Sequence, residues 1–206
     1  MTVSRVLIAT RNPGKLAELV PMLAAAGITG IGLEAAGIEV RSDEDEIECF
    51  DTFEENARAK ALYFVERSDG IPTIADDSGL EVAALEGRPG VHSKRWSGRC
   101  DLHGAELDAA NNAVLLAALA GHQDRSARYV CVATYADGET VQFARGESAG
   151  RILHEPRGEG GFGYDPLFES TELQATFAEA DPAAKAQVSH RGRALRALMS
   201  ALARAR

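Results

Sequence analysis

The sequence predicts an α/β protein built on a mixed sheet, and three observations carry that expectation. Short apolar runs that suit buried strands alternate, unevenly, with amphipathic stretches of helical period. The pair Asp137-Gly138 between two strand-like runs is a strong hairpin signal, which adds an antiparallel portion to the sheet. The 206 residues, 45% hydrophobic and 26% charged, have the composition of one globular domain, or of two closely joined lobes, with a sizeable core.

The elements follow in order. Val6 to Ala9 reads as a buried strand. Asn12-Pro13 supplies a cap and a first-turn residue for a helix whose stripe is Leu16, Leu19, Val20 and Leu23, and Gly27 closes it. Thr52, with Glu55 three residues on, is a capping box for a second helix. That helix carries Phe53, Ala57, Ala61 and Phe64 at core spacing, with Asn56 and Lys60 beside them. Ile71 to Ala75 fits a short strand. Asp76-Asp77-Ser78-Gly79 after it favour turns and caps, so the carboxylates are expected at a strand end. An amphipathic stretch from about Ala105 to Leu119 precedes strands at Tyr129 to Tyr135 and Thr140 to Phe143. Gly158 to Gly163, with four glycines in six residues, must be loop. Leu195, Leu198, Met199 and Leu202 mark a C-terminal helix starting near Ser189. Neither a repeat nor a long linker interrupts the chain, so one compact unit over residues 1–206 is expected.

Composition narrows the function. Lys+Arg 22 against Asp+Glu 31 leaves a net charge of −9, the wrong sign for coating a nucleic-acid backbone, so no nucleic-acid partner is expected. Any bound phosphate must meet local positive charge. The three cysteines, Cys49, Cys100 and Cys131, show neither C-x-x-C nor zinc-type spacing and point to a reducing compartment. The longest apolar run, Ala113 to Ala120, is eight residues, too short for a membrane span, and the N-terminal apolar run is too short for a signal peptide. A cytoplasmic location without membrane attachment is expected.

Five segments can carry chemistry, and each also has a purely structural reading. Thr10-Arg11-Asn12-Pro13-Gly14-Lys15 is a strand-to-helix turn that aims unpaired N–H groups and a positive helix end at one point, which suits a phosphate. Taken alone it reads more readily as an ordinary capped helix with a surface Arg and Lys, and it is not a P-loop, because Leu16 follows Lys15. Asp76 and Asp77 must pair or bind metal if buried, and serve as a cap and a first-turn acid if not. In an extended strand the two would point to opposite faces and hold different tasks. Ser42 to Glu48 holds five acids in seven positions, mostly as a solvated loop. Magnesium takes only one or two protein carboxylates, so Glu48 with Asp77 would suffice for it. In Gly160 to Pro166, Phe162 or Tyr164 either stacks on a base or plugs its own loop. Lys185 and Ser189-His190-Arg191-Gly192 offer donors that test a base for an acceptor oxygen, or form a solvated helix start.

Taken together, these residues resemble the inosine/xanthosine triphosphate pyrophosphatase family over nearly the whole chain. The marks stand in family order: Thr10-x-Asn12-x-x-Lys15, Thr52 to Ala57 with Lys60, Ala75 to Leu80, Pro89-Gly90 through Ser97-Gly98, Gly161 to Pro166, and Ser189-His190-Arg191. The resemblance implies an elongated α/β fold, with a mixed sheet, flanking helices and two lobes around a central nucleotide cleft, usually in a homodimer. It implies Mg²⁺-dependent hydrolysis of purine nucleoside triphosphates such as dITP, ITP and XTP between the α and β phosphates. The products would be a nucleoside monophosphate and pyrophosphate.

By position, Thr10, Arg11, Asn12, Pro13, Gly14 and Lys15 line the phosphate pocket and Lys60 adds charge. Asp77 activates water and, with Glu48, holds metal. Ser78 contacts substrate. Phe162, Gly163, Tyr164, Asp165, Lys185, His190 and Arg191 match positions for stacking, base and phosphate contacts. A 6-oxo acceptor read by His190 or Arg191 would separate inosine from adenine, whose amino donor leaves those donors unsatisfied. The acidic net charge does not oppose this. A unit pair at 4 Å and an effective dielectric near 20 interacts by roughly 4 kcal/mol, so a few placed cations outweigh a diffuse, screened charge. A nucleotide sensor without turnover, or a pyrophosphatase for other modified nucleotides, remains as an alternative.

Overall fold

The structure, a computed structural model, describes residues 4–204. In chain order the elements are β1 (Arg5–Ile8), α1 (Pro13–Ala25), β2 (Thr29–Gly32), α2 (Phe53–Arg67), β3 (Thr73–Val82), α3 (Gly104–Ala118), β4 (Ser126–Ala136), β5 (Val141–Ile152), β6 (Phe168–Ser170), β7 (Ala175–Thr176), α4 (Pro182–Val188) and α5 (His190–Arg204). Seven strands form one sheet in the order β2-β1-β3-β4-β5-β6-β7. β1 runs parallel to β2 and β3, whereas β6 is antiparallel to β5 and β7. The expected mixed α/β architecture is the one observed.

The chain divides into two compact units. One holds the chain up to Asp77, Cys131–Gly146 and the chain from Arg191; the other holds Ser78–Val130 and Glu147–His190. The first unit is a three-layer sandwich, because successive strand residues point to opposite faces. Val6, Ile8, Ile74, Cys131, Ala133 and Tyr135 pack on Leu19 and Leu23 of α1 and on Ala194, Leu195 and Leu198 of α5. Leu7, Ala9, Ala75 and Ala136, in the alternate register, pack on Ala61, Phe64 and Val65 of α2. Val20, expected on the α1 stripe, is exposed instead, so the buried stripe is narrower than the apolar pattern suggested.

Both helices start where their caps predict. Asn12 Oδ1 accepts the Lys15 N–H at 3.1 Å and Pro13 opens α1. The Thr52 hydroxyl accepts the Glu55 N–H at 3.2 Å and donates to the Glu55 carboxylate at 2.6 Å.

The second unit has one core. Leu80, Val82, Tyr129, Ile152 and Phe168 of its strands meet Leu115 of α3 and Leu119 at its C-cap, together with Tyr164, Leu167 and Phe177. Arg128, in the other register of β4, donates to Glu81 at 2.7 Å and to Glu147 at 3.2 Å.

One expectation is corrected. Asp76 to Gly79 form no turn; β3 runs straight through all four. Gly79 is a close-approach glycine, because a Cβ there would lie 2.2 Å from the Gly90 carbonyl oxygen and 2.7 Å from Ser93 Oγ. Ser93 Oγ in turn accepts the Leu80 N–H at 2.8 Å, so the 90–95 segment is fastened to the strand. Gly79→Ala is therefore expected to destabilise the protein by about 1–3 kcal/mol through overpacking, read as a lower urea midpoint; an unchanged midpoint would contradict the close approach.

Candidate active site

Because β3 continues, strand alternation separates the two aspartates. Asp76 shares the register of Ile74 and faces the α1 and α5 layer. Its Oδ2 lies 3.1 Å from Lys15 Nζ and 3.2 Å from Arg191 Nε, and the Cys131 thiol approaches the same oxygen at 3.8 Å. Arg191 Nη1 also donates to Glu18, three residues beyond Lys15 on α1. Burial works against a charge on Asp76, but Lys15, Arg191 and Lys60 outweigh it and hold the carboxyl well below the usual carboxylate range. Burial likewise opposes the Arg191 guanidinium, and Asp76 and Glu18 overcome it, so its pKa is raised.

Asp77 shares the register of Ala75 and faces α2, where Asn56 and Lys60 stand four residues apart on one side. Asn56 Nδ2 donates to Asp77 Oδ2 at 3.1 Å. The same amide brackets Phe50, accepting its N–H at 2.9 Å and donating to its carbonyl at 3.2 Å, which ties the turn after Glu48 to the helix. Lys60 Nζ donates to Glu48. Burial raises the Asp77 pKa; Lys60 and Lys15 pull it back, Glu48 pushes it up again, and the net direction is upward. Burial lowers Lys60, but Glu48, Asp76 and Asp77 more than restore it, so the ammonium is held charged. The pKa shifts of these adjacent carboxyls thus run in opposite directions.

The Thr10 to Lys15 turn lies beside Asp76 through Lys15. The Thr10 hydroxyl accepts the Asn12 N–H at 3.1 Å. Pro13 is exposed, and Gly14 and Lys15 are half-buried. The Arg11 guanidinium is engaged on Glu44, at 2.9 and 2.8 Å, and on the carbonyls of Ile38 and Glu39, at 2.9 and 3.0 Å. It fastens the 38–44 segment to this turn.

The remaining sequence-predicted residues fall in the second unit. Asp165 Oδ2 accepts the Phe162 N–H at 2.9 Å and pairs with Lys185 Nζ at 2.6 Å. That ammonium lies 5.4 Å from the Phe162 ring centre and 5.3 Å from that of Phe177, within cation–π range. Tyr164 is buried and donates its hydroxyl to the Ser93 carbonyl at 2.8 Å, which leaves Phe162 as the half-exposed aromatic of the loop. His190 is buried and stacks on Tyr129, ring centres 4.5 Å apart and planes 7° from parallel. Ser78 is half-buried in β3 next to Asp77.

Sequence reasoning left Asn56 and Glu18 without a role. For Asn56 the signal was present, a polar residue four before Lys60 at the edge of a buried stripe. For Glu18 none was, because its partner Arg191 is 173 residues away.

Glu48 and Asp77 suit a hard divalent cation. Both offer carboxylate oxygens, and the charge of Glu48 disfavours ionisation of Asp77, a conflict that a cation on the pair relieves.

Fold and site together define a mixed-sheet α/β protein whose adjoining aspartates are held by lysines, an arginine and an asparagine from the flanking helices. The chain belongs to the Ham1 family, whose sequence profile matches residues 6–201. It is 52% identical to a dITP/XTP pyrophosphatase of Mycolicibacterium paratuberculosis, over 97% of this chain and 96% of that protein. It is 46% identical to a dITP/XTP pyrophosphatase of Burkholderia pseudomallei, over 97% and 93%. Among solved structures it resembles a HAM1 protein from Coxiella burnetii, with TM-score 0.80 and 36% identity over 97% of this chain and 98% of that one. The Staphylococcus aureus Ham1 protein gives TM-score 0.80 and 33% identity over 98% and 100%. The family resemblance read from the motifs holds. No helix among the described residues is long and apolar enough to cross a membrane.

Proposed function

We propose that this protein hydrolyses non-standard purine nucleoside triphosphates, of the dITP and XTP type, to the monophosphate and pyrophosphate. The observation that carries the reading is the contrast between the aspartates. Asp76 is locked as an anion that holds Lys15, while Asp77 is buried, raised in basicity and hydrogen-bonded by Asn56. Asp77, held in place by the Asn56 amide, takes the proton of the attacking water. The water oxygen bonds to the α-phosphorus as the bond to the bridging oxygen breaks, and pyrophosphate leaves.

Lys15, Lys60 and the N–H groups of the Asn12 to Gly14 turn orient the phosphate chain, since such reactions depend mainly on positioning and electrostatics. Glu48 and Asp77 would hold Mg²⁺; the chemistry supplied when it is bound is neutralisation of charge on the phosphate oxygens. Phe162 stacks on the base, Lys185 and Asp165 hold that loop in place, and Ser78 contacts the substrate. His190 carries the discrimination for a 6-oxo acceptor. Arg191, enclosed by Asp76 and Glu18, acts through Asp76. The free thiols of Cys49, Cys100 and Cys131 accord with a cytoplasmic enzyme. We expect a homodimer, which sedimentation equilibrium tests.

A substrate panel tests the whole reading. Pyrophosphate release from dITP and XTP with Mg²⁺ is expected to exceed that from dATP by roughly 10²-fold or more in kcat/KM, and to vanish with a chelator. Tight dITP binding without release would favour a sensor. Faster turnover of another modified nucleotide would place the enzyme in a different substrate class.

A further inference from the structure

Helix α3 contributes no residue to the proposed reaction, yet two of its side chains close on one residue of the aromatic loop. Asp108 Oδ2 accepts the Gly163 N–H at 2.7 Å, and Asn112 Nδ2 donates to the Gly163 carbonyl at 3.0 Å. Residues four apart share a helix face, so a single turn of α3 engages both backbone polar groups of the same glycine. Gly163 has φ +63°, a conformation that glycine adopts without strain.

The N–H of Gly163 belongs to the peptide plane that follows Phe162. The plane that precedes Phe162 is held by the Phe162 N–H on Asp165, at 2.9 Å. Since peptide groups are rigid planes, fixing the two on either side of a residue fixes its φ and ψ, and with them the direction of its Cα–Cβ bond. Asp165 holds one plane and Asp108 the other. The Asp108 bond has the short length of a charge-assisted one, and α3 is itself anchored in the core by Leu115 and Leu119.

We propose that Asp108, assisted by Asn112, is a positioning residue for Phe162: it clamps the peptide after that residue so that the ring is already oriented for the purine before substrate arrives. The inference rests on the assignment of Phe162 to base stacking. Its effect belongs in binding rather than in the chemical step, because a preorganised ring saves the ordering that a loose one must undergo when the base docks.

The test is steady-state kinetics with dITP on the full chain. Phe162→Ala is expected to raise KM by about 5- to 150-fold, the range for loss of one stacked base. Asp108→Ala is expected to raise KM about tenfold with kcat within about twofold of the parent. Asp108→Asn, which keeps an acceptor for the Gly163 N–H, should restore KM to near the parent value, a rescue that a purely electrostatic or folding effect would not give. In the Phe162→Ala background, Asp108→Ala should add little, since there is no ring left to orient. Asn112→Ala gives the same readout more weakly and serves if Asp108→Ala does not fold. An unchanged KM in Asp108→Ala, or full additivity in the double variant, overturns the inference while leaving Phe162 on the base. An unchanged KM in Phe162→Ala overturns the stacking assignment itself, and this inference with it.

Discussion

Asp77→Asn is expected to lower kcat for pyrophosphate release by about 10²- to 10⁴-fold, the usual contribution of a general base, while leaving the protein at least as stable as the parent. The two halves of this expectation have one cause. Burial raises the Asp77 pKa above its unfolded value, and the push from Glu48 adds to it, so the ionised carboxyl is less favourable folded than unfolded. A carboxyl of this kind reduces stability as pH rises through its folded pKa. The amide replacement never ionises, yet its oxygen still accepts from Asn56 Nδ2, the bond that Asp77 makes at 3.1 Å. Scanning calorimetry of the metal-free proteins should therefore show a thermal midpoint in the variant equal to or above that of the parent at pH 7. A variant that keeps a tenth or more of the parent kcat would remove Asp77 from the role of base, and a sharply lower midpoint would contradict the electrostatic account.

Arg191→Met should do the reverse. The guanidinium is almost fully buried, 2% exposed, between Asp76 and Glu18, and its removal takes from a fully buried carboxylate one of the cations that hold it charged. Breaking one side of a buried ion pair costs about 3–5 kcal/mol. For a chain of this size that is a fall of roughly 10 °C in thermal midpoint. The sequence alone suggested that Arg191 reads the base, in which case the loss would appear in the dITP to dATP preference of a protein of normal stability. The structure predicts a large drop in stability and an unaltered preference in the fraction that folds. Acid acts in the same direction. Asp76 titrates well below its unfolded value, so its stabilisation is complete above the ordinary carboxylate range near 4 and is lost as pH falls towards the folded pKa. The parent should accordingly lose midpoint temperature below about pH 4 more steeply than Asp76→Asn does.

These two neighbours show where reading the residues in order succeeds and where it stops. Asn12 and Thr52 were recognisable as caps because a cap satisfies N–H groups only three residues away. The buried stripe of α2 was legible for the same reason, as a local period of 3.6. The Asp76 to Gly79 run misled, because its composition favours a turn while the requirement that Gly79 meets is the carbonyl of Gly90 pressed against the strand. In the aromatic loop, Phe162 and Tyr164 were equal candidates until the Ser93 carbonyl was found on the tyrosine hydroxyl. The partners of the Arg11 guanidinium, Glu44 and the carbonyls of Ile38 and Glu39, lie some thirty residues away and leave no local trace in the sequence.

From its residues alone, this chain declares its helix starts, its mixed α/β class and its family, all of which rest on short-range hydrogen bonding, periodic burial or motif order. That Asp76 is an ion-paired anchor, and that the pKa of its neighbour moves the other way, came only with the folded chain. A carboxyl's ionisation depends on how much water is removed from it and which charges surround it, and for Asp76 those charges arrive from Lys15 and Arg191, far along the chain in either direction.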